Sequence, residues 1–289
     1  MVSQDPKATA TKPVATATTA AQKIKKEEKI SQVRGIRNAF IVIIACCIAA
    51  VCIFLFGMGY SGNFEGGTTD GHPLNLAGTV YKGGFIVPIL MTLLLTVIVL
   101  SIERWIALSS ASGKGNTTKF VKDIKADLAA NKIDAAMQRC KQQKGSVASV
   151  VYNTLVKYKE MDANTTLSKE QKLTTLRNEV EEATALEMPS LSQNLPIVAT
   201  LTTLGTLVGL LGTVMGMIKS FQALATSGSP DSTELSTGIS EALVNTAFGI
   251  ATGAFAVISY NFFTNKIDNL SYAIDEIGFS IVATFAATH

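Results

Sequence analysis

Apolar residues gather in four long runs separated by polar stretches. The runs span Ala39–Gly59, Gly84–Ile102, Pro196–Ile218 and Glu241–Phe263. Each reaches the roughly 20 residues that a helix, rising about 1.5 Å per residue, needs to cross about 30 Å of hydrocarbon. The second run closes on Glu103, Arg104 and Trp105, residue types suited to a membrane–water interface. The first run is a retained helix by shape, because its apolar core is far longer than the ~7–15 residues of a signal peptide.

Polar stretches between the runs carry helical periods. Phe120, Ile124, Leu128 and Ile133 recur at helical spacing, and Ala135, Ala136, Val147, Val150, Val151, Leu155 and Tyr158 continue the pattern past a break near Gly145. Leu173, Leu176, Val180 and Ala183 predict a further amphipathic helix running towards Pro189 and Pro196. After the fourth run, Phe263, Ile267, Leu270, Ile274 and Ile277 extend the same helix with one apolar face. Residues 60–83 are Gly-rich and aperiodic, which predicts a plain connector with at most a short turn.

Composition supports a membrane protein with attached soluble mass. Of 289 residues, 47% are apolar and 16% charged, against roughly 25% charged in soluble domains. Mean hydropathy is +0.31. A net charge of +3 leaves no nucleic-acid footprint. Three of the four cysteines (Cys46, Cys47, Cys52) sit in the first run and Cys140 lies apart, with no CxxC pair. His72 and His289 are the only histidines. Zinc, redox and Ser-His-Asp chemistry therefore have no support, and no Walker A or GxGxxG pattern points to a nucleotide. The expectation is a protein that is not an enzyme and holds no cofactor or metal.

Basic residues set the orientation. Segments 1–38 and 104–195 hold eight and fourteen Lys and Arg, whereas 60–83, 219–240 and 264–289 hold one each. The positive-inside rule then places both termini and the middle segment in the cytoplasm. The chain reads as an all-α integral membrane protein with four transmembrane helices. A disordered, basic N-terminus (1–38) precedes an extra helix (39–59), an outer loop (60–83) and a second helix (84–105). A helical cytoplasmic domain (106–195), a third helix (196–218), a short outer loop (219–240), a fourth helix (241–263) and a helical tail (264–289) follow. Within the N-terminal segment, 1–22 is low-complexity, and the basic stretch 23–37 suits anionic lipid headgroups.

The third and fourth runs carry the chemistry. Gly205, Gly209, Gly212 and Gly216 fall on one helical face, with GxxxG spacing that lets two backbones approach in lipid. Thr202, Thr206 and Thr213 lie on an adjoining face. Their hydroxyls either bond their own i−4 carbonyls or line a water path, and spacing alone leaves both open. In the fourth run, Glu241, Asn245, Thr252 and Ser259 form one polar stripe, while Thr246, Gly249 and Gly253 form another. Thr246 stands about 140° around the helix from Glu241, so either the polar surface is wide or one residue faces a neighbouring helix. Glu241 is either an ionisable group with a task inside the membrane or an acid at the outer interface. A Glu with a Thr/Asn stripe suits a proton or cation path. One carboxylate per chain cannot relay charge across a membrane, so several copies must surround a pore or a partner helix must add groups.

Residues 209–221 (GLLGTVMGMIKSF) and 238–249 (GISEALVNTAFG) resemble the ExbB/TolQ/MotA family of proton channels, closest to its ExbB and TolQ branch. The resemblance is firm over roughly 195–265, weaker for the second run and the polar helices, and absent from 1–60. It implies a homopentamer in the bacterial inner membrane whose last two spans line a pore. That pore would enclose a single-span, Asp-bearing partner like ExbD or TolR, and proton flow would energise TonB-like or TolA-like proteins. By motif position, Thr213 and Thr246 match the family's pore threonines and Glu241 its intramembrane glutamate. Asn245 joins them from the stripe alone. Typical ExbB proteins have three spans and an outside N-terminus, and the extra helix here restores the family orientation for the other three. The leading expectation is a stator subunit coupling the proton-motive force to TonB-dependent transport. A TolQ-like subunit of envelope maintenance and a non-conducting scaffold are the alternatives. A secondary transporter ranks last, because no repeat relates the first pair of runs to the second.

Overall fold

The computed structural model describes residues 38–69, 71–226 and 232–289. The low-complexity stretch 1–22 and the basic stretch 23–37 lie outside the described residues, as does the tip of the loop between the last two helices. The described residues form nine α-helices and no strand beyond one isolated bridge. They are α1 (Ala39–Cys52), α2 (Leu76–Lys82), α3 (Ile86–Ala111), α4 (Thr117–Ala129), α5 (Ile133–Gln143), α6 (Gly145–Ala163), α7 (Lys169–Ser192), α8 (Leu195–Thr226) and α9 (Ser232–Thr288). Four helical stretches are long and apolar enough to cross a membrane: Ala39–Met58, Ile86–Ala111, Lys169–Gln222 and Leu235–Thr288. The all-α architecture with four such helices agrees with the sequence reading.

Local chemistry sets the helix limits. Asn116 accepts from the backbone N–H groups of Thr118 and Lys119 to start α4. Ser168 and Gln171 form a reciprocal capping box at α7. The break near Gly145 is sharp: Lys144 and Gly145 have φ of 58° and 82°, and α6 begins there. Only Gln193 and Asn194 separate α7 from α8. Asn194 takes φ 65°, and Pro196 occupies the first turn of α8, where no intrahelical N–H bond is lost. Helix continues well into 219–240, through Thr226 on one side and from Ser232 on the other. Thr and Ser tolerate helix there because nothing in that stretch of the sequence enforces a turn before Gly228.

α1 and the π-helical turn that continues it (Ile53–Met58) pack on α3 through Val42, Cys46, Ala50 and Phe54, one residue per turn. Its remaining surface exposes Phe40, Ile41, Ile44 and Ile48, which suits lipid. α8 and α9 form a tight antiparallel pair, and α9 also runs along α3. Beyond the apolar zone, the second half of α9 completes a core with α4 to α7, where Ile124, Leu155, Leu176, Ile277, Ile281 and Phe285 are buried.

Two expectations need correction. Residues 60–83 are more than a plain connector. Asn63 Nδ2 donates to the carbonyls of Gly57 and Met58 at 3.0 and 2.9 Å, and Asn75 Nδ2 donates to Asn63 Oδ1 at 2.9 Å. Phe64 is buried beneath Tyr81. Side-chain amides join a short antiparallel pairing, in which Glu65 N–H donates to the His72 carbonyl and Leu74 N–H to the Asn63 carbonyl, a pattern with no periodicity to read. The set Glu103–Arg104–Trp105 is also not a uniform interfacial anchor. Trp105 is exposed and stacks on Phe262, but Glu103 and Arg104 are buried as an ion pair. Arg104 Nη1 donates to the carbonyls of Ser190 and Leu191, both at 3.3 Å, so it serves the negative end of α7.

Candidate functional site

The site is built on the close approach of α8 and α9. Gly205, Gly209, Gly212 and Gly216 are all buried and face α9. A Cβ on Gly216 would lie 2.9 Å from the backbone of Ala242 and Gly238, and one on Gly205 would lie 2.8 Å from the Thr252 methyl. Gly249 meets Gly209, and Gly253 meets Thr206 and the carbonyl of Thr202. Both small-residue faces therefore meet each other, as lipid-embedded helices without a hydrophobic drive require.

The two polar stripes of α9 have different surroundings. Glu241, Asn245, Thr252 and Ser259 are 6%, 0%, 0% and 8% exposed, so the whole stripe is covered by the chain's own α3 and α8. Thr246 is half-buried on the other side, where its hydroxyl touches the hydroxyl of Thr213. Of the two arrangements that the 140° offset allows, a stripe facing neighbouring helices is the one present.

Glu241 sits in a close-fitting cradle. Lys219 Nζ, at the far end of α8, donates to its Oε1 at 2.8 Å and its Oε2 at 3.1 Å. Gly84, at φ 79°, lies directly behind the carboxylate, and a Cβ there would collide with Oε1. Only glycine combines that backbone with that space. One turn further on, Asn245 Nδ2 donates to the carbonyl of Gly83 at 3.1 Å, while its Oδ1 is buried with no partner among the described residues. Asn245 also lies against Gly212, which has no side chain to displace it. Glu241 and Asn245 thus tie α9 to the start of α3 and the end of α8.

The threonines divide their protons. Thr213 Oγ1 lies 3.3 Å from the Gly209 carbonyl, and Thr246 Oγ1 lies 3.0 Å from the Ala242 carbonyl. Two hydroxyl protons thus serve three contacts, the two carbonyls and the hydroxyl–hydroxyl contact, so the protons can be arranged in more than one way. Thr202, Thr206 and Thr252 each donate to their own i−4 carbonyl. Sequence reasoning missed Lys219 and Gly84 as parts of this site. The signal for Lys219 was present, since it is the lone cation of 219–240. Among the described residues, no three His, Cys, Asp or Glu side chains converge as a metal site would need.

The chain matches the MotA/TolQ/ExbB proton channel family over residues 126–276, more than half of its length. That match reaches back through the polar helices α5 to α7, further than the motif stretch, and includes Thr213, Lys219, Glu241 and Thr246. No curated protein matches the chain significantly. With four helices able to cross a membrane and most of the chain from α4 to α9 inside the match, this protein belongs to the MotA/TolQ/ExbB proton channel family.

Proposed function

We propose that this chain is the proton-conducting stator subunit of an ExbB-like complex in the bacterial inner membrane. Five copies surround a pore lined by α8 and α9, and an ExbD-like single-span partner occupies it. Proton passage drives a TonB-like protein in transport across the outer membrane. Both termini and the α4–α7 domain face the cytoplasm, as the distribution of Lys and Arg favours. The extra helix α1 sits at the periphery against α3 and lipid.

One observation carries this reading. A carboxylate, Glu241, is buried inside the family-matched segment, with the Thr213–Thr246 hydroxyl pair about 7–8 Å further along α9 by helical rise. A titratable group followed by a pair of hydroxyls in contact suits proton transfer through a dry protein. Asn245 completes the proposed path as a buried amide whose oxygen has no partner among the described residues. Gly205, Gly209, Gly212, Gly216, Gly249 and Gly253 hold the two helices at the spacing that brings these groups together.

The test is purification of the complex with the products of neighbouring genes, followed by native mass spectrometry and proton-flux measurement in vesicles. Five copies with a few of a one-span, Asp-bearing protein, and flux that Glu241→Gln abolishes, support the reading. A monomer or dimer without a small partner, or flux indifferent to Glu241, overturns it. A TolQ-like role is separated by phenotype, since deletion would then weaken the envelope and spare TonB-dependent uptake. The scaffold reading draws on the threonines that bond only their own helices, and it requires zero flux with every partner.

A further inference from the structure

Lys219 has no place in the motif-based account of the path, yet it makes the closest contacts to its central acid. Its ammonium donates to both oxygens of Glu241, at 2.8 and 3.1 Å. The two side chains differ in freedom. That of Glu241 is 7% exposed and backed by Gly84, whereas that of Lys219 is 47% exposed. The acid is fixed and the cation can swing away. The pair also bridges two helices, so a small slide of α8 against α9 separates it.

A buried carboxylate needs compensation, either from a cation at its oxygens or from a proton on one of them. Lys219 now supplies the first. We propose that Lys219 is a resident counter-ion competing with the transported proton for Glu241, so that withdrawal of the ammonium and protonation of the carboxylate are one coupled event. This rests on the conducting role proposed for Glu241. In the step, one proton from the outer aqueous side adds to a Glu241 oxygen, while Lys219 keeps its own three protons and moves to water or to an acidic group of another chain. Return of Lys219 expels the proton into the path. An acid entering from a partner helix would draw Lys219 off, making partner engagement the trigger for loading.

The experiment is infrared spectroscopy of the full reconstituted complex, alongside vesicle proton flux. Lys219→Met and Lys219→Gln should each gain a protonated-carboxyl C=O band at rest. Adding Glu241→Gln to either should remove that band, and Lys219→Arg should resemble the unaltered protein. Flux in the two neutral variants should lose most of its dependence on the partner, falling from a large ratio to about one. Unchanged spectra in both neutral variants, with flux still dependent on Glu241, overturn the role of Lys219 and leave the conducting reading standing. A gained band with no Glu241-dependent flux in any form overturns the conducting reading, and the coupled step with it.

Discussion

Gly209 and Gly249 face each other across the α8–α9 interface with backbone against backbone. A Cβ built on Gly209 would lie 2.8 Å from the Gly249 Cα, and one on Gly249 would lie 2.7 Å from the Gly209 Cα. Neither obstacle is a flexible side chain, so the helices themselves must part. Gly209→Ala and Gly249→Ala should each cost about 1–3 kcal/mol, the usual penalty of overpacking. Gly57, whose added Cβ would meet nothing nearer than 3.9 Å, is the contrast. Gly57→Ala should be neutral or stabilising by up to about 1 kcal/mol, because helical glycine carries extra backbone entropy. Thermal unfolding in detergent separates the two classes.

Thr246→Val keeps the shape of the side chain and deletes its hydroxyl. The Thr213 hydroxyl then loses its partner and retains the Gly209 carbonyl. Stability should change by no more than about 1 kcal/mol, as for one lost hydrogen bond. Proton flux should fall at least about tenfold, because the hydroxyl that can both donate to and accept from Thr213 is gone. Vesicle flux measured beside a melting curve checks both halves. Unchanged flux would assign Thr246 to packing.

Much of the fold was legible because periodicity is a direct physical signal. The four apolar runs, the break at Gly145 and the apolar face Phe263–Ile277 all appear where spacing put them. The GxxxG offsets also pointed at a helix pair. The site was legible in composition and not in contact. Nothing in spacing says that the Glu241 stripe faces α3 rather than a lumen, because a helical wheel has no neighbours. Lys219 and Glu241 are 22 residues apart on different helices, and Gly84 is further still, so only the tertiary fold joins them. Arg104 misled for a related reason. At a span's end, an Arg that snorkels and an Arg that caps a neighbouring helix look the same in sequence.

Arg104 is fully buried, its guanidinium shared between Glu103 and two carbonyls at the end of α7. Arg104→Met would strand the Glu103 carboxylate and leave those carbonyls without a charged donor. The expected loss is about 3–5 kcal/mol, typical of breaking a buried pair from one side. The double variant Glu103→Gln/Arg104→Met removes both charges and should recover at least half of that loss. Because Asn194 also reaches Glu103 Oε2, at 3.5 Å, the α7–α8 junction should become the first site of proteolysis in the single variant. Limited proteolysis mapped by mass spectrometry reads this out. Equal stability in single and double variants would show that the carboxylate is not the seat of the penalty.

Cys140 lies at the end of α5, fully buried in the core shared by α4, α6 and α9. Burial pushes its thiol from 9.0 up to about 12. The neutral thiol is therefore the favoured folded form, and between those two values the unfolded chain releases a proton that the folded chain keeps. The folded state binds more protons in that window, so stability falls as pH rises through it, by about 1.4 kcal/mol per unit from this group. Below about pH 9 both states hold the proton and the group contributes no slope. Cys140→Ala should therefore flatten the decline at alkaline pH while lowering stability at neutral pH through the small cavity it leaves. A maleimide should leave Cys140 unlabelled in the native protein at pH 7 and label it once the α4–α7 domain unfolds. Unfolding curves collected across alkaline pH for both forms give the slope directly. A decline of equal steepness in Cys140→Ala would show that Cys140 is not the source of the alkaline loss.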